Sequence, residues 1–507
     1  MRKKILLAVA LAVFLVWTGN AVAAPKGKIS MGFAGSVKTY DPHRITGFPL
    51  NNHYPLVFDQ LVFRRADGKI VPKLAKSYRL VNPLLWEFKL QEGIKFSNGE
   101  DVDATAVKFS LERIVKPELK SRQISFFRNI KSVEIVSKYT VRVHLKNKDS
   151  FFLPPLTQYG QIVPPKYYGS KKLKFLARNP VGSGPYRLKK WTGKYVLHYE
   201  ANPNYWDKRY LPKIKTVVIN IIPEPTTRVA ALVAGDIDFA DSISPQLLSM
   251  VKSSSNLDVI AVPSSRTCYI YPIIKAGTPW EKKKVRQALN YAIDKTALVK
   301  TVLQGYGRVV ATNVGPDSFG FDPALKPYPY DPVKAKKLLA EAGYPNGFSS
   351  EILTPLGRYL KGKEVSEALV QMLGKVGIKT KLTVAEYGVV VTKMRARWKP
   401  KVKSFLRMAC RMDSNLHSEH MYSGTIHSRS TWGGYREKWM DKLIDAARSE
   451  PDDAKRLKMY QDVNGVIREE AVLGFLYQQY QIVAKNKKVD FKPRVNGFVL
   501  AFEMGLK

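Results

Sequence analysis

Three histidines, His417, His420 and His427, fall within eleven residues of one another, beside Asp413 and Glu419. Imidazole and carboxylate together form a donor set that suits divalent first-row metals. His417 and His420 share a face if the stretch is helical, and His427 is the best single candidate for a metal ligand. The plainer alternative is a solvated loop in which the histidines are incidental. Two cysteines, Cys268 and Cys410, complete the reactive inventory. No C-x-x-C pair points to redox or zinc work, so they either pair as a disulfide or stay as two buried thiols. The signatures of covalent and phosphoryl chemistry are missing: there is no G-x-S-x-G, H-E-x-x-H, G-x-x-x-x-G-K-[ST] or G-x-G-x-x-G. Gly182-Ser183-Gly184 runs into Pro185 and reads as a turn, not as a nucleophile. His43, His53, His144 and His198 are scattered. The expectation is a protein that is not an enzyme and carries no cofactor.

These residues must be positioned by helix and strand signals that alternate along the whole chain, which predicts α/β or mixed α+β construction. Residues 27–40 read as a strand running into a turn at Asp41-Pro42. Residues 86–90 alternate apolar and charged types like a half-exposed strand. Ser97-Asn98-Gly99-Glu100 is turn chemistry, after which Asp103 can cap a helix bearing Val107, Leu111 and Ile114 on one face. Further strands are expected at 139–145, 195–200 and 214–221, and a helix over 227–234 that Gly235 ends. Beyond 272 long helices are expected to dominate. One carries Val285, Leu289, Ala292 and Ile293. Another has Asp331 as cap, Pro332 at its first position and Gly343 just past its end. Extended segments near 262–270 and 475–484 predict two crossings between two lobes. A double crossing lets a hinge close without letting the lobes drift apart.

The chain has 507 residues, 45% hydrophobic and 25% charged, an ordinary globular balance. Its first residues are of another kind. Arg2, Lys3 and Lys4 precede a thirteen-residue apolar run at 5–17, and Ala21-Val22-Ala23 follows. That run reaches about 20 Å, short of the ~30 Å of a bilayer core, so a signal peptide cut between Ala23 and Ala24 is expected. No cysteine follows the run, which excludes a lipid-bearing N-terminus of that kind and predicts a soluble, periplasmic protein of Gram-negative type. The remaining chain, roughly 480 residues, exceeds one hydrophobic core and predicts two or three structural units. Lys and Arg number 83 against 42 Asp and Glu, a formal charge of +41. The basic residues are spread, not clustered, and an exported chain meets little nucleic acid, so nucleic-acid binding is not expected. The charge predicts a self-repelling surface drawn to anionic membrane.

Several runs of sequence resemble one family. Phe96-Ser97-Asn98-Gly99-Glu100 with 106–111, and Asn179-Pro180-Val181-Gly182-Ser183-Gly184-Pro185-Tyr186, are two of them. The others are Asn202-Pro203-Asn204-Tyr205-Trp206, Pro225-Thr226-Thr227-Arg228 with Gly235-Asp236-Ile237-Asp238, and Val285-Arg286-Gln287-Ala288-Leu289-Asn290. In this order they resemble the family 5 solute-binding proteins, exported receptors of peptide and nickel ABC importers. The resemblance implies a two-lobed periplasmic-binding-protein fold of class II (cluster C type) with a two-strand hinge. The first lobe would span 24–267 plus 478–507, with an inserted subdomain at about 46–173, and the second 268–477. It also implies a monomer that shuts on a short peptide or peptide-like solute and passes it to a membrane permease driven by a separate ATPase. Strand-like hydrogen bonds to the peptide backbone would come from a first-lobe edge at Gly35, Ser36, Val37, Thr39 and Tyr40. The second-lobe segment is about 408–415, where the family pairs an Asp with the peptide amine. One alignment sets Cys410 at that position, and a one-gap shift sets Asp413 there. Arg411 between them favours a carboxylate or another anion. His427 lies near the spacing at which nickel receptors place a histidine, so a metal chelate is the second reading.

Overall fold

A computed structural model describes residues 24–507 apart from Ser36, Phe48 and Thr431. The expected signal peptide with Ala23, and the candidate contact Ser36, lie outside the described residues, while Ala24 is exposed at their start.

Eleven strands form one continuous sheet. Lys26–Phe33 lies parallel to Ile214–Ile221, which continues antiparallel into Val196–Ala201 and Tyr186–Thr192. On its other side comes the short Phe239–Ala240. At the far end Phe348–Pro355 lies parallel both to Ile378–Ala385 and to Leu406–Met412. Between the two halves run the long antiparallel strands Leu257–Pro272 and Gly474–Asn486. These are the two crossings. Sixteen residues of strand extend about 50 Å, enough to belong to both lobes. The second lobe is therefore not mainly helical as its sequence suggested. Its helices cover a sheet, with Lys283–Tyr291, Pro332–Glu341 and Gly362–Gly374 on one face and Tyr387–Ala396, Lys438–Ser449 and Asp453–Glu469 on the other.

The register of the crossing pair breaks between Pro263 and Thr267. Proline has no N–H to give a ladder, and side chains take over there. Ser264 Oγ donates to the Gln479 carbonyl at 2.7 Å, and Gln478 Nε2 to the Ser264 carbonyl at 2.6 Å. A bend held by side-chain bonds instead of a rigid ladder is where a hinge can turn.

An inserted four-stranded sheet stands apart, in the order Ala75–Asn82, Leu85–Leu90, Thr140–Leu145, Ile130–Ser137. It packs its own core with the helix Ala104–Val115. Asp103 accepts from the amides of Thr105 and Ala106 at 2.9 and 3.1 Å, and Val107, Leu111 and Ile114 are fully buried, as their spacing predicted. Leu85–Leu90 departs from simple alternation. Glu87 is buried because Arg79 and Arg142, on the flanking strands, both bind its carboxylate.

Cys268 and Cys410 face one another across Leu257–Pro272 and Leu406–Met412 and form a disulfide. It closes a sequence separation of 142 residues, worth about 4–5 kcal/mol in the chain-entropy account. Replacing both by alanine is expected to lower the urea midpoint accordingly. An unshifted midpoint would mean that the bond does not restrict the unfolded chain.

Candidate functional site

The two lobes meet over the end of Leu406–Met412 and the helix Ser418–Thr425. Asp413 directly follows the strand, and its amide donates to the Ser265 carbonyl at 2.9 Å, beside the hinge. Its Oδ2 accepts from Ser318 Oγ at 2.6 Å and from the His417 amide at 2.7 Å. Its Oδ1 has no hydrogen-bond donor, although only 1% of the residue is exposed. Asn415 gives its amide nitrogen to His420 Nδ1 at 2.7 Å, and its Oδ1 too is buried without a partner.

The first lobe and its insertion close this face from above. Ser414 Oγ donates to Gln158 Oε1, and Arg64 Nη2 to the Asn415 carbonyl, both at 2.7 Å. Phe126 meets His420 edge-on with ring centres 6.0 Å apart, and Phe151 lies 4.9 Å from His417. At the rim Arg448 grips Asp149 through two bonds of 2.9 and 2.7 Å and reaches Glu419 at 3.1 Å. Ser150 ties the same corner to the Arg448 and Glu450 carbonyls. The jaws are shut. A cavity of about 10 Å³ beside Asn51, Arg64 and Gln158 has room for no more than one water.

Polar atoms buried without partners stand on both sides of this seam. Asn51 Nδ2 and Arg64 Nε face the cleft region from one side; Asp413 Oδ1 and Asn415 Oδ1 lie on the other. Gln158 links the sides, since its Nε2 donates to Asn51 Oδ1 at 2.9 Å while its Oε1 takes the Ser414 hydroxyl. Each such orphan costs about 1–3 kcal/mol, so the arrangement calls for a guest rich in both kinds of group.

Burial pushes Asp413 up from 3.8 to about 6, against the stabilising bonds from Ser318 and the His417 amide and the charges of Arg64 and Arg411. Burial likewise lifts Glu419 to about 7, opposed by the Arg448 guanidinium and helped by the nearby Asp149 charge. An opened Asp413 returns to water and to its ordinary range, so the shut form binds more protons between the two values. Raising the pH from 4 to 6 is therefore expected to open the solute-free protein, and Glu419 continues the trend toward 7. Intramolecular energy transfer between dyes on the two lobes would follow it; an opening equilibrium flat across that range would contradict the burial of Asp413 by closure.

The other residues singled out in the sequence have different fates. Val37 and Tyr40 turn into the first-lobe core. Tyr40 packs against Tyr54 and Trp191, and its hydroxyl meets that of Tyr199. The paired strand ends at Phe33. Gly35 lies against Pro49, Thr39 Oγ1 accepts from the Asp41 amide, and the Thr39 carbonyl takes the Tyr54 hydroxyl. The sulfur of Cys410 is committed to the disulfide within the second-lobe core and offers a guest no thiol. Arg411 follows it on the opposite face, donating to the His420 carbonyl at 3.2 Å while its Nε has no partner.

The histidine cluster does not converge. His417 caps the helix by accepting from the Glu419 amide and stacks on Phe319, whereas His420 turns to Asn415. His427 Nδ1 accepts from the Arg429 amide at 3.1 Å, and its Nε2 lies 3.4 Å from the Asp445 carboxylate. Among the described residues no three His, Cys, Asp or Glu side chains are placed to hold a metal ion. Sequence reasoning missed Asn51, Arg64, Gln158 and Arg448. The one available signal was Asn51-Asn52-His53, a polar run inside the helix Leu50–Val57, all of it buried.

Comparison with known proteins places this geometry in context. Residues 69–404 match the profile of the bacterial extracellular solute-binding proteins, family 5 (middle region). The glutathione-binding protein GsiB of Salmonella paratyphi A is 30% identical over 414 residues, 80% of either chain. That of Escherichia coli O1:K1 is 31% identical over 412 residues, 80% of this chain and 79% of the relative. Among solved structures, the periplasmic binding protein DppA of Helicobacter pylori in complex with the peptide STSA superposes with a TM-score of 0.80 at 23% identity, over 95% of this chain and 98% of that one. The oligopeptide-binding protein AppA of Bacillus subtilis with a nonapeptide gives 0.79 at 24% identity, over 96% and 100%.

Proposed function

The chain belongs to the bacterial extracellular solute-binding proteins of family 5, the capture components of ABC importers, and from that premise we propose that its cargo is a short peptide or peptide-like solute. The carrying observation is the seam of orphaned groups. A peptide brings carbonyls for Asn51 and Arg64 and an ammonium for Asp413, so the guest supplies what each lobe lacks. Closure is favoured only by contacts made to both lobes at once. In this reading Asp413, not Cys410, receives the amine. The protein works as a monomer in the periplasm, exported by the segment 1–23 and cut between Ala23 and Ala24, and returns the solute unaltered to a permease. Its positive surface holds it near anionic lipid. The lobes correspond to 24–267 with 478–507, and to 268–477, with the insertion at about 46–173. The relatives named for glutathione support a peptide-like guest with free carboxylates.

Titration calorimetry with glutathione and with di- to pentapeptides tests this. One solute per chain should bind saturably and be recovered with its mass unchanged. Silence toward every peptide, or a solute returned chemically altered, would contradict the reading.

A further inference from the structure

Away from the cleft, the first lobe carries a charged face that capture of a solute does not use. The chain as a whole has 83 Lys and Arg against 42 Asp and Glu, yet residues 151–199 hold nine Lys and Arg and no Asp or Glu. The fold brings the two halves of that stretch together. Tyr186–Thr192 is the outermost strand of the large sheet, five strands from the Gly474–Asn486 crossing, or about 24 Å. Beside it lie the short helices Pro165–Ser170 and Leu173–Leu176. Arg178 ties them to the strand: its guanidinium lies 3.7 Å over the Trp191 ring, and its Nη1 donates to the Gly193 carbonyl at 3.2 Å.

This corner encloses a cavity of about 190 Å³, where the seam between the lobes leaves about 10 Å³. Arg178, Lys189 and Lys190 line it, and no carboxylate does. Trp191 lines it too, and its indole N–H is buried without an acceptor. The acids nearby are engaged. Glu100 accepts from the amides of Lys166 and Tyr167, and Glu200 meets Lys189 at 3.2 Å in an exposed pair of the kind that contributes little. Two aromatic rings stand out from the same corner. Phe175 is 46% exposed and lies 6.3 Å from the ring of Tyr167, which lines the cavity. Tyr195 is 58% exposed, in the hairpin turn that Arg178 holds.

We propose that this face seats on anionic phospholipid, with a headgroup phosphate entering the cavity between Arg178 and Lys190 and the rings of Phe175 and Tyr195 resting at headgroup level. A guanidinium, two ammonium groups and a free N–H together recognise a phosphate. Exposed aromatic rings beside lysines make an interfacial contact, which a free phosphate ion would not need. At the far edge of the sheet the contact leaves hinge and cleft clear. The proposal rests on the reading of an exported receptor held near lipid and deepens it by naming the face that does the holding.

Co-sedimentation of the processed chain, beginning at Ala24, with phosphatidylcholine vesicles alone and mixed equally with phosphatidylglycerol tests it. Binding should require the anionic lipid and weaken with salt. Each basic residue at such a surface is worth about five-fold in partition, so Lys190→Gln combined with Lys194→Gln should lower binding ten-fold or more. Lys336→Gln combined with Lys337→Gln removes the same charge from the exposed side of Pro332–Glu341 on the other lobe and should lower it about two-fold at most. Phe175→Ser with Tyr195→Ser should weaken binding and leave its salt dependence unchanged. Equal losses from the two lysine pairs overturn this face and leave a diffuse attraction; no binding to anionic vesicles overturns the attraction as well. Peptide calorimetry without lipid reports on the receptor separately. Inorganic phosphate should give no saturable heat; heat that the Lys190 variant loses would make the cavity a site for soluble anions and overturn the lipid assignment.

Discussion

Asp413→Asn is expected to abolish the distinction between a peptide with a free amine and the same peptide N-acetylated. In the wild-type protein the free amine should be favoured by about 100-fold, because a buried charge pair lost on one side costs 2–5 kcal/mol. Asparagine keeps an oxygen for Ser318 and for the His417 amide and removes only the charge, so folding is spared. The discriminating atom is Oδ1, buried with no donor of its own. It lies 3.5 Å from His420 Nδ1, but that nitrogen is occupied by Asn415, and burial and Arg411 keep His420 neutral. Paired titrations of the two peptides against both proteins check the claim. An amine preference that survives the substitution would remove Asp413 from the site.

Arg448→Met is expected to leave the protein open even with solute present in moderate excess. The shut form would then bring Asp149 and Glu419 together in a buried corner with no cation between them. Uncompensated buried charge costs about 3–5 kcal/mol, a hundred-fold or more in the population of the closed state. The cost falls on closure more than on folding, since opening returns Asp149, on the insertion, to water. Neutralising the partners in the triple variant Arg448→Met, Asp149→Asn, Glu419→Gln should restore closure, because a buried ion group replaced as a whole is nearly neutral in energy. Scattering profiles of the three proteins with glutathione separate these outcomes. A single variant that closes like the wild type would show the corner to be incidental.

Local rules carried much of the fold. Asp331, Pro332 and Gly343 delimit the helix Pro332–Glu341 by the chemistry of cap, first position and left-handed exit: Asp331 accepts from the Lys334 amide at 2.8 Å and Gly343 has φ of 86°. The crossing strands were legible from their β-branched and aromatic content, and extend to Leu257–Pro272 and Gly474–Asn486. Pairing across long separations was not legible. The strands Phe348–Pro355 and Ile378–Ala385 each read as a mixture of apolar and polar residues between helices, and only their parallel register makes them a sheet. The site was half visible. Asp413 and Arg411 stood out through the family resemblance. Arg64, Gln158 and Asn51 did not, because a buried polar residue shows its purpose only through the partner that faces it from another lobe. Tyr40 misled for a related reason: it lies in a motif-rich stretch, but its ring belongs to an aromatic core with Tyr54, Trp191 and Tyr199.

Small-angle scattering at pH 7, with and without saturating glutathione or a tripeptide, tests the central claim most directly. Two lobes joined by two strands that bend at Pro263–Thr267 should give a radius of gyration that falls when a peptide binds and returns when it is dialysed away. A radius indifferent to every peptide tried, under conditions where calorimetry reports binding, would contradict an account in which capture is closure.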